Sequence, residues 1–173
     1  MSASSLPLAK DLFSTRFAEV ARRYDAVQGI LGDLRSAANV EVALEALISQ
    51  QARYPHRVRQ LLGATYYIRE VVDRAQASWW AGSPDHVTNY IELVEHLERW
   101  RVDSKESVVF VTFNYDTLLE KAIHAVVGTA FRNLDDYIAG PMPLFKLHGS
   151  IDWWQAVVNP GWGTNPAVVL WAE

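Results

Sequence analysis

Hydrophobic positions divide the chain into two parts with different periodicity. Up to about Arg101 the apolar residues recur at helical spacing. From Ser107 onward, short β-branched and aromatic runs alternate with polar turns and with segments of helical spacing. The change predicts a mainly helical N-terminal half that is followed by an α/β part.

Four helices are predicted in the N-terminal half. The first is one long amphipathic helix over residues 8–27, with a glycine-containing break after it. The next two, over 40–48 and 58–72, follow the same helical rule. The fourth is predicted to begin with Ser83 as N-cap and Pro84 as its first helical residue. Its predicted buried stripe consists of Val87, Tyr90, Ile91, Val94 and Leu97.

The second part opens with an unbroken apolar run over 107–113, which predicts a buried strand of the kind found in parallel sheets. The polar turn 114–116 ends this strand. A helix is predicted over 117–126, because Thr117 and Glu120 have the spacing of a capping box.

Two more strands are predicted further along the chain. One runs over 144–147 and ends at the sequence His148-Gly149-Ser150, and the other lies near 167–171. The second part of the chain is therefore predicted to hold several strands of one sheet.

Composition narrows the classes of function. The 16 Lys and Arg against 20 Asp and Glu give a net charge of −4, which disfavours nucleic acid as a direct partner. The absence of cysteine excludes disulfides, thiolate nucleophiles and cysteine-based zinc sites. There is no secretory signal pattern and no apolar run long enough to cross a bilayer. We therefore expect a cytoplasmic protein that binds neither membrane nor metal.

Two polar turns follow predicted strands and carry the candidate chemistry. In open α/β sheets, ligands bind outside the carboxyl ends of the strands, so parallel pairing would bring Asn114, Asp116 and His148 to one edge. An Asn amide can fix a ribose hydroxyl or a water, and a His can take a proton from either. The same residues also suit a simple turn, a helix cap and a structural histidine, and that alternative stays open.

Two segments resemble motifs of bacterial sirtuin-like proteins. The run over 110–120, Phe-Val-Thr-Phe-Asn-Tyr-Asp-Thr-Leu-Leu-Glu, is similar to their Thr-x-Asn-Tyr-Asp motif. The run over 145–153, Phe-Lys-Leu-His-Gly-Ser-Ile-Asp-Trp, is similar to their Lys-Leu-His-Gly-Ser motif. The segment 5–8 resembles the Leu-Pro segment that follows the family's glycine-rich phosphate loop, whereas the matching over 31–100 is weak.

The resemblance implies a single domain over 1–173, with a Rossmann-like parallel sheet, here partial, over about 107–173 and a mainly helical insertion over about 33–101. It implies NAD as substrate and cleavage of the nicotinamide–ribose bond. Asn114 would order the ribose or the attacking water, and His148 would be the general base. The residues implied to contact NAD are Thr112, Asn114, Asp116, Gly149 and Ser150. Many such domains are NAD-depleting effectors of antiphage defence, which implies a defence-system partner or self-association.

The sequence departs from the family pattern at both ends. The residues Met1-Ser2-Ala3-Ser4 stand where the family has a Gly-Ala-Gly-x-Ser loop, and the C-terminal end comes before the sheet would be complete. We therefore expect a chain truncated at both ends, or an inactive relative. Protein deacylation is disfavoured because those sirtuins usually carry a four-cysteine zinc module. The alternative function is a non-catalytic nucleotide-binding or protein-interaction module.

Overall fold

Helices make up most of the described residues. The computed structural model describes residues 7–82 and 88–153. The chain divides into two units, Met1–Gly82 and Ser83–Glu173.

The first unit is helical throughout its regular structure. Its elements, in chain order, are the 3-10 turns Ala9–Asp11 and Thr15–Phe17, α1 (Ala18–Ala21), α2 (Asp25–Gln28), α3 (Leu31–Ser36), α4 (Val40–Ser49) and α5 (His56–Ala81). The predictions of α4 and α5 are confirmed, and α5 extends beyond its predicted end. Asn39 caps α4, since its Oδ1 accepts hydrogen bonds from the backbone N–H groups of Glu41 and Val42.

The prediction of one long helix over 8–27 is wrong. Extended backbone at Ser14 and a non-helical conformation at Tyr24 divide this stretch into two 3-10 turns and two short helices. Long-range donors satisfy carbonyls that a continuous helix would have used: the Tyr67 hydroxyl donates to the Leu12 carbonyl at 2.7 Å, and Arg35 Nε donates to the Phe13 carbonyl at 2.7 Å. Helical periodicity cannot reveal such donors, because they come from distant positions.

Tyr67 of α5 lies at the centre of the first unit's core. Its side chain is fully buried, and its ring stacks on Phe13 with 5.2 Å between centroids. The buried residues around it are Phe17, Val20, Ala21, Val27, Ile30, Leu31, Leu34, Val40, Leu47, Ala64 and Val71. The short N-terminal helices therefore pack around the long helix α5.

Truncating a leucine in this core tests the packing. Leu34 is 1% exposed, so Leu34→Ala should lower the free energy of unfolding by ~2–5 kcal/mol. Leu8 is 62% exposed, and Leu8→Ala should change it by about 0.5 kcal/mol or less. Urea denaturation followed by far-UV circular dichroism measures both. Equal losses for the two variants would contradict the assigned core.

Alkaline pH should destabilise the first unit through Tyr67. Burial raises the pKa of Tyr67 from 10.0 to about 12. Between these values the unfolded chain loses the phenolic proton and the folded chain keeps it, so stability falls as pH rises, by up to about 1.4 kcal/mol per pH unit. Tyr67→Phe should be less stable at pH 8 by about 1–3 kcal/mol, because the Leu12 carbonyl loses its donor. It should then decline less steeply than the parent between pH 10 and 12, and parallel declines would refute this account.

The second unit combines helices with a small sheet. Its elements are α6 (Asn89–Ser104), β1 (Phe110–Thr112), α7 (Leu118–Val127), α8 (Asp136–Ala139) and β2 (Leu144–Lys146). Helix α6 begins later than predicted, because Thr88 is its N-cap and accepts a hydrogen bond from Ile91 N–H at 3.3 Å. The predicted cap Ser83 and the predicted strand over 167–171 lie outside the described residues.

The two strands β1 and β2 pair in parallel, as predicted. Phe110 lies opposite Leu144, and Thr112 lies opposite Lys146. One face of the pair packs against α6 and α7 in a core formed by Val94, Val108, Leu119, Ala122, Ile123, Tyr137, Met142 and Leu144. The described residues thus have a partial α/β arrangement, and a complete Rossmann-like sheet remains a prediction.

The prediction that the first strand is buried on both faces is wrong. In this run Val108 is 8% exposed, whereas Val109 and Val111, which point to the other face, are 52% and 60% exposed. The cause is the alternation of side chains along a strand, combined with helices that cover one face of this pair. An apolar run alone does not reveal how many faces are covered.

Candidate functional site

The two polar turns leave the sheet side by side. Strand β1 ends at Thr112 and β2 ends at Lys146, and these residues are partners in the parallel register. Backbone hydrogen bonds join the turns: Leu147 N–H donates to the Thr112 carbonyl and Ile151 N–H to the Tyr115 carbonyl, each at 2.9 Å. The carboxyl ends of both strands therefore form one continuous edge, where open sheets place their ligands.

Asn114 follows β1 with an exposed side chain. Its backbone N–H donates to Thr112 Oγ1 at 3.1 Å, which fixes the turn. Its side-chain amide donates to the hydroxyl of Tyr90 on α6 at 3.4 Å. Burial first, and then the nearby Asp116 carboxylate, raise the pKa of Tyr90. Sequence reasoning placed Tyr90 only in a buried stripe and missed its contact with the site.

His148 lies in the tight turn after β2, and its ring is exposed. The ring meets Phe113 edge-on, with 5.1 Å between centroids, and is tilted against Tyr115 at 5.8 Å. Gly149 has φ +81°, a left-handed conformation that glycine adopts without a steric penalty. Asn114 and His148 therefore stand in adjoining turns with different side-chain partners: Tyr90 for the amide and an aromatic pair for the imidazole.

Asp116 lies at the start of α7 and is half-buried. Its Oδ1 accepts a hydrogen bond from Leu118 N–H at 3.0 Å, so it serves as a local cap, one of the two roles foreseen for it. The predicted capping box is wrong, because Thr117 makes no side-chain cap hydrogen bond. The Glu120 side chain instead points to a lysine of β2.

A buried charged cluster lies beneath the two turns. Lys146 Nζ donates to Glu120 Oε1 at 2.7 Å, to Ser150 Oγ at 3.0 Å and to the carbonyl oxygen of Asp116. The side chains of Lys146 and Glu120 are 1% and 6% exposed. Ser150, predicted to contact NAD, is fully buried within this cluster.

Burial raises the pKa of the Glu120 carboxyl above its usual value, although the Lys146 ammonium pulls in the opposite direction. The Tyr137 hydroxyl also donates to Glu120 Oε1, at 3.2 Å. The other carboxylate oxygen, Oε2, is buried and has no hydrogen-bond partner among the described residues. Because a buried polar atom without a hydrogen-bond partner lowers the stability of the fold, burial of this carboxylate is destabilising.

Sequence analysis missed the Lys146–Glu120 pair, although a signal was present. Lys146 lies two residues after the buried Leu144, so both point to the same face of β2. Glu120 lies in the first turn of α7, next to the buried Leu118 and Leu119. Opposite charges at two positions that the pattern assigns to the core indicate a buried pair.

The site is built from polar, aromatic and backbone groups. Over 7–82 and 88–153, no group of three or more His, Asp or Glu side chains is arranged to hold a metal ion. Within the same ranges, no helix is both long and apolar enough to cross a membrane. The groups present can hold hydroxyls, stack on a flat ring and accept a proton.

Part of the second unit matches a known protein family. Residues 108–160 match the model of the SIR2-like domain family. The matched segment contains both polar turns and the lysine beneath them, but it covers less than half of the chain. The match supports a sirtuin-like, NAD-associated family for this segment. Searches among curated proteins and among solved structures found no match.

Proposed function

We propose that the chain binds NAD at the paired turns and cleaves its nicotinamide–ribose bond, as an NAD glycohydrolase. The observation that supports this most is the position of the two motif turns, which leave adjacent parallel strands at one edge. Both turns lie within the segment that matches the SIR2-like model. A binding site between the turns would therefore be reached from one side by an amide and from the other by an imidazole.

The proposed reaction needs only groups of this edge and water. Asn114 orders the ribose hydroxyls or the water, while His148 accepts the proton that the water gives up. The water oxygen bonds to the ribose C1′, and the bond from C1′ to the nicotinamide nitrogen breaks. Nicotinamide leaves as a neutral molecule with that electron pair. The products are ADP-ribose, nicotinamide and one proton.

The residues present fit the nicotinamide–ribose end of NAD. Asn114 and His148 are exposed at the edge, and the Phe113 and Tyr115 rings beside His148 offer flat apolar surfaces. Thr112, Asp116 and Ser150 support these groups through turn, cap and cluster hydrogen bonds, and Gly149 N–H donates to the Lys146 carbonyl at 3.2 Å. The pyrophosphate would need donors of the kind that a glycine-rich loop supplies, and the paired turns hold no such loop.

The sirtuin-like resemblance also supports a biological role for this activity, namely antiphage defence. In that role the chain depletes NAD during antiphage defence, together with a defence-system partner or other copies of itself. A trigger would then act by completing or exposing the site.

Incubation with NAD, with nicotinamide release followed by chromatography, tests the proposal. Asn114→Ala and His148→Ala should each lower turnover by about 100-fold or more, the usual contribution of a positioned acid–base group. His96→Ala is a matched control, since His96 is an exposed histidine of α6, and it should keep the parent rate. Circular dichroism should show the same fold in all four proteins.

Three results would separate the alternatives. NAD binding by calorimetry without nicotinamide release in the parent would favour the non-catalytic nucleotide-binding module. Parent-like turnover in the Asn114 or His148 variant would refute the assigned roles. Neither binding nor release by the parent would contradict the proposed function as a whole.

A further inference from the structure

The Lys146 ammonium joins three separate parts of the second unit. It reaches the backbone carbonyl of Asp116 in the first turn, the Glu120 carboxylate on α7 and the Ser150 hydroxyl after the second turn. The Ser150 hydroxyl also donates to Glu120 Oε1 at 3.4 Å. One buried cation therefore holds the turn that carries Asn114 and the turn that carries His148.

Packing alone does not explain a charged pair at this place. Buried apolar residues lie within two positions of the cluster along the chain, among them Leu118, Leu119, Leu144 and Ile151. Burying two charges carries a desolvation penalty, and apolar residues of similar volume often serve stability equally well. A pair with short, directional bonds to defined oxygens does, however, permit fewer arrangements than apolar contacts do.

We propose that Lys146 and Glu120 are positioning residues, which fix the two turns in the one relation that brings Asn114 and His148 to a common substrate. The side chains of the pair are almost fully buried, so they act through the turns and not by touching the substrate. The catalytic consequence rests on the proposed function, whereas the geometric consequence does not.

The first variant replaces both members of the pair, so that neither is left as a lone buried charge. The double variant Glu120→Leu/Lys146→Met keeps the volume and removes both charges, so its melting temperature should stay close to that of the parent. The imidazole signals of His148, assigned by comparison with His148→Gln, report the position of the turn through the ring currents of Phe113 and Tyr115. In the double variant these signals should move toward those of a free histidine, and kcat for NAD should fall about 100-fold with KM less affected.

Two further proteins complete the experiment. The double variant Glu98→Gln/Arg101→Gln removes a partly exposed ion pair of α6, whose atoms lie 2.7 Å apart, and it should leave both the His148 signals and kcat unchanged. The chain has no cysteine, so Lys146→Cys can be alkylated at one site with 2-bromoethylamine in denaturant and then refolded. The resulting aminoethyl side chain restores an ammonium group and should restore the parent His148 signals.

The outcomes decide the two proposals separately. Parent-like His148 signals in the folded Glu120→Leu/Lys146→Met variant, or in Lys146→Cys before alkylation, would overturn the positioning role. Failure of the alkylated protein to recover the parent signals would overturn it as well. If the parent releases no nicotinamide, the proposed function fails, and the histidine signals still decide whether the pair sets the turns.

Discussion

The ion pair between Lys146 and Glu120 is the interaction on which the arrangement of the second unit depends. It is buried at the junction of a strand, a helix and two turns, where the ammonium bonds to both turns. The cost of burying the charges is offset only in an arrangement that supplies the ammonium with its oxygen partners, so the pair selects one geometry among several compact ones. The positions of the exposed side chains in the two turns therefore depend on this arrangement.

Strand pairing and side-chain alternation bring the residues of this junction together. Parallel pairing of β1 and β2 brings both turns to one edge, and alternation along β2 directs Lys146 inward, where Glu120 of α7 meets it. The same alternation leaves the outward residues Val111 and Phe145 exposed. The buried face of the two strands thus holds the turns together, and the open edge of the strands carries the groups suited to chemistry.

The order of the local elements and the shared edge of the two polar turns could be predicted from the sequence, whereas the long-range hydrogen bonds to the Leu12 and Phe13 carbonyls could not. The β-branched run before Asn114 and the polar residues after each strand fixed the strand–turn–helix order and the shared edge. The prediction of a helix over 8–27 failed because Tyr67 and Arg35, which are distant in the sequence, donate hydrogen bonds to carbonyl groups of this stretch. Glu120 was assigned to a local cap because its spacing from Thr117 allowed that simpler interpretation. In the fold this carboxylate instead accepts a hydrogen bond from Lys146, a contact that the core positions of both residues could have indicated.

Titration of the isotope-labelled chain with NAD, followed by amide proton–nitrogen correlation spectra, tests the central claim that the two turns form one nucleotide site. We expect the amide signals of 113–116 and of 147–150 to shift together and give a single dissociation constant, while those of α4 and α5 stay in place. Shifts confined to one turn, two different constants for the two turns, or no shift in either would contradict it.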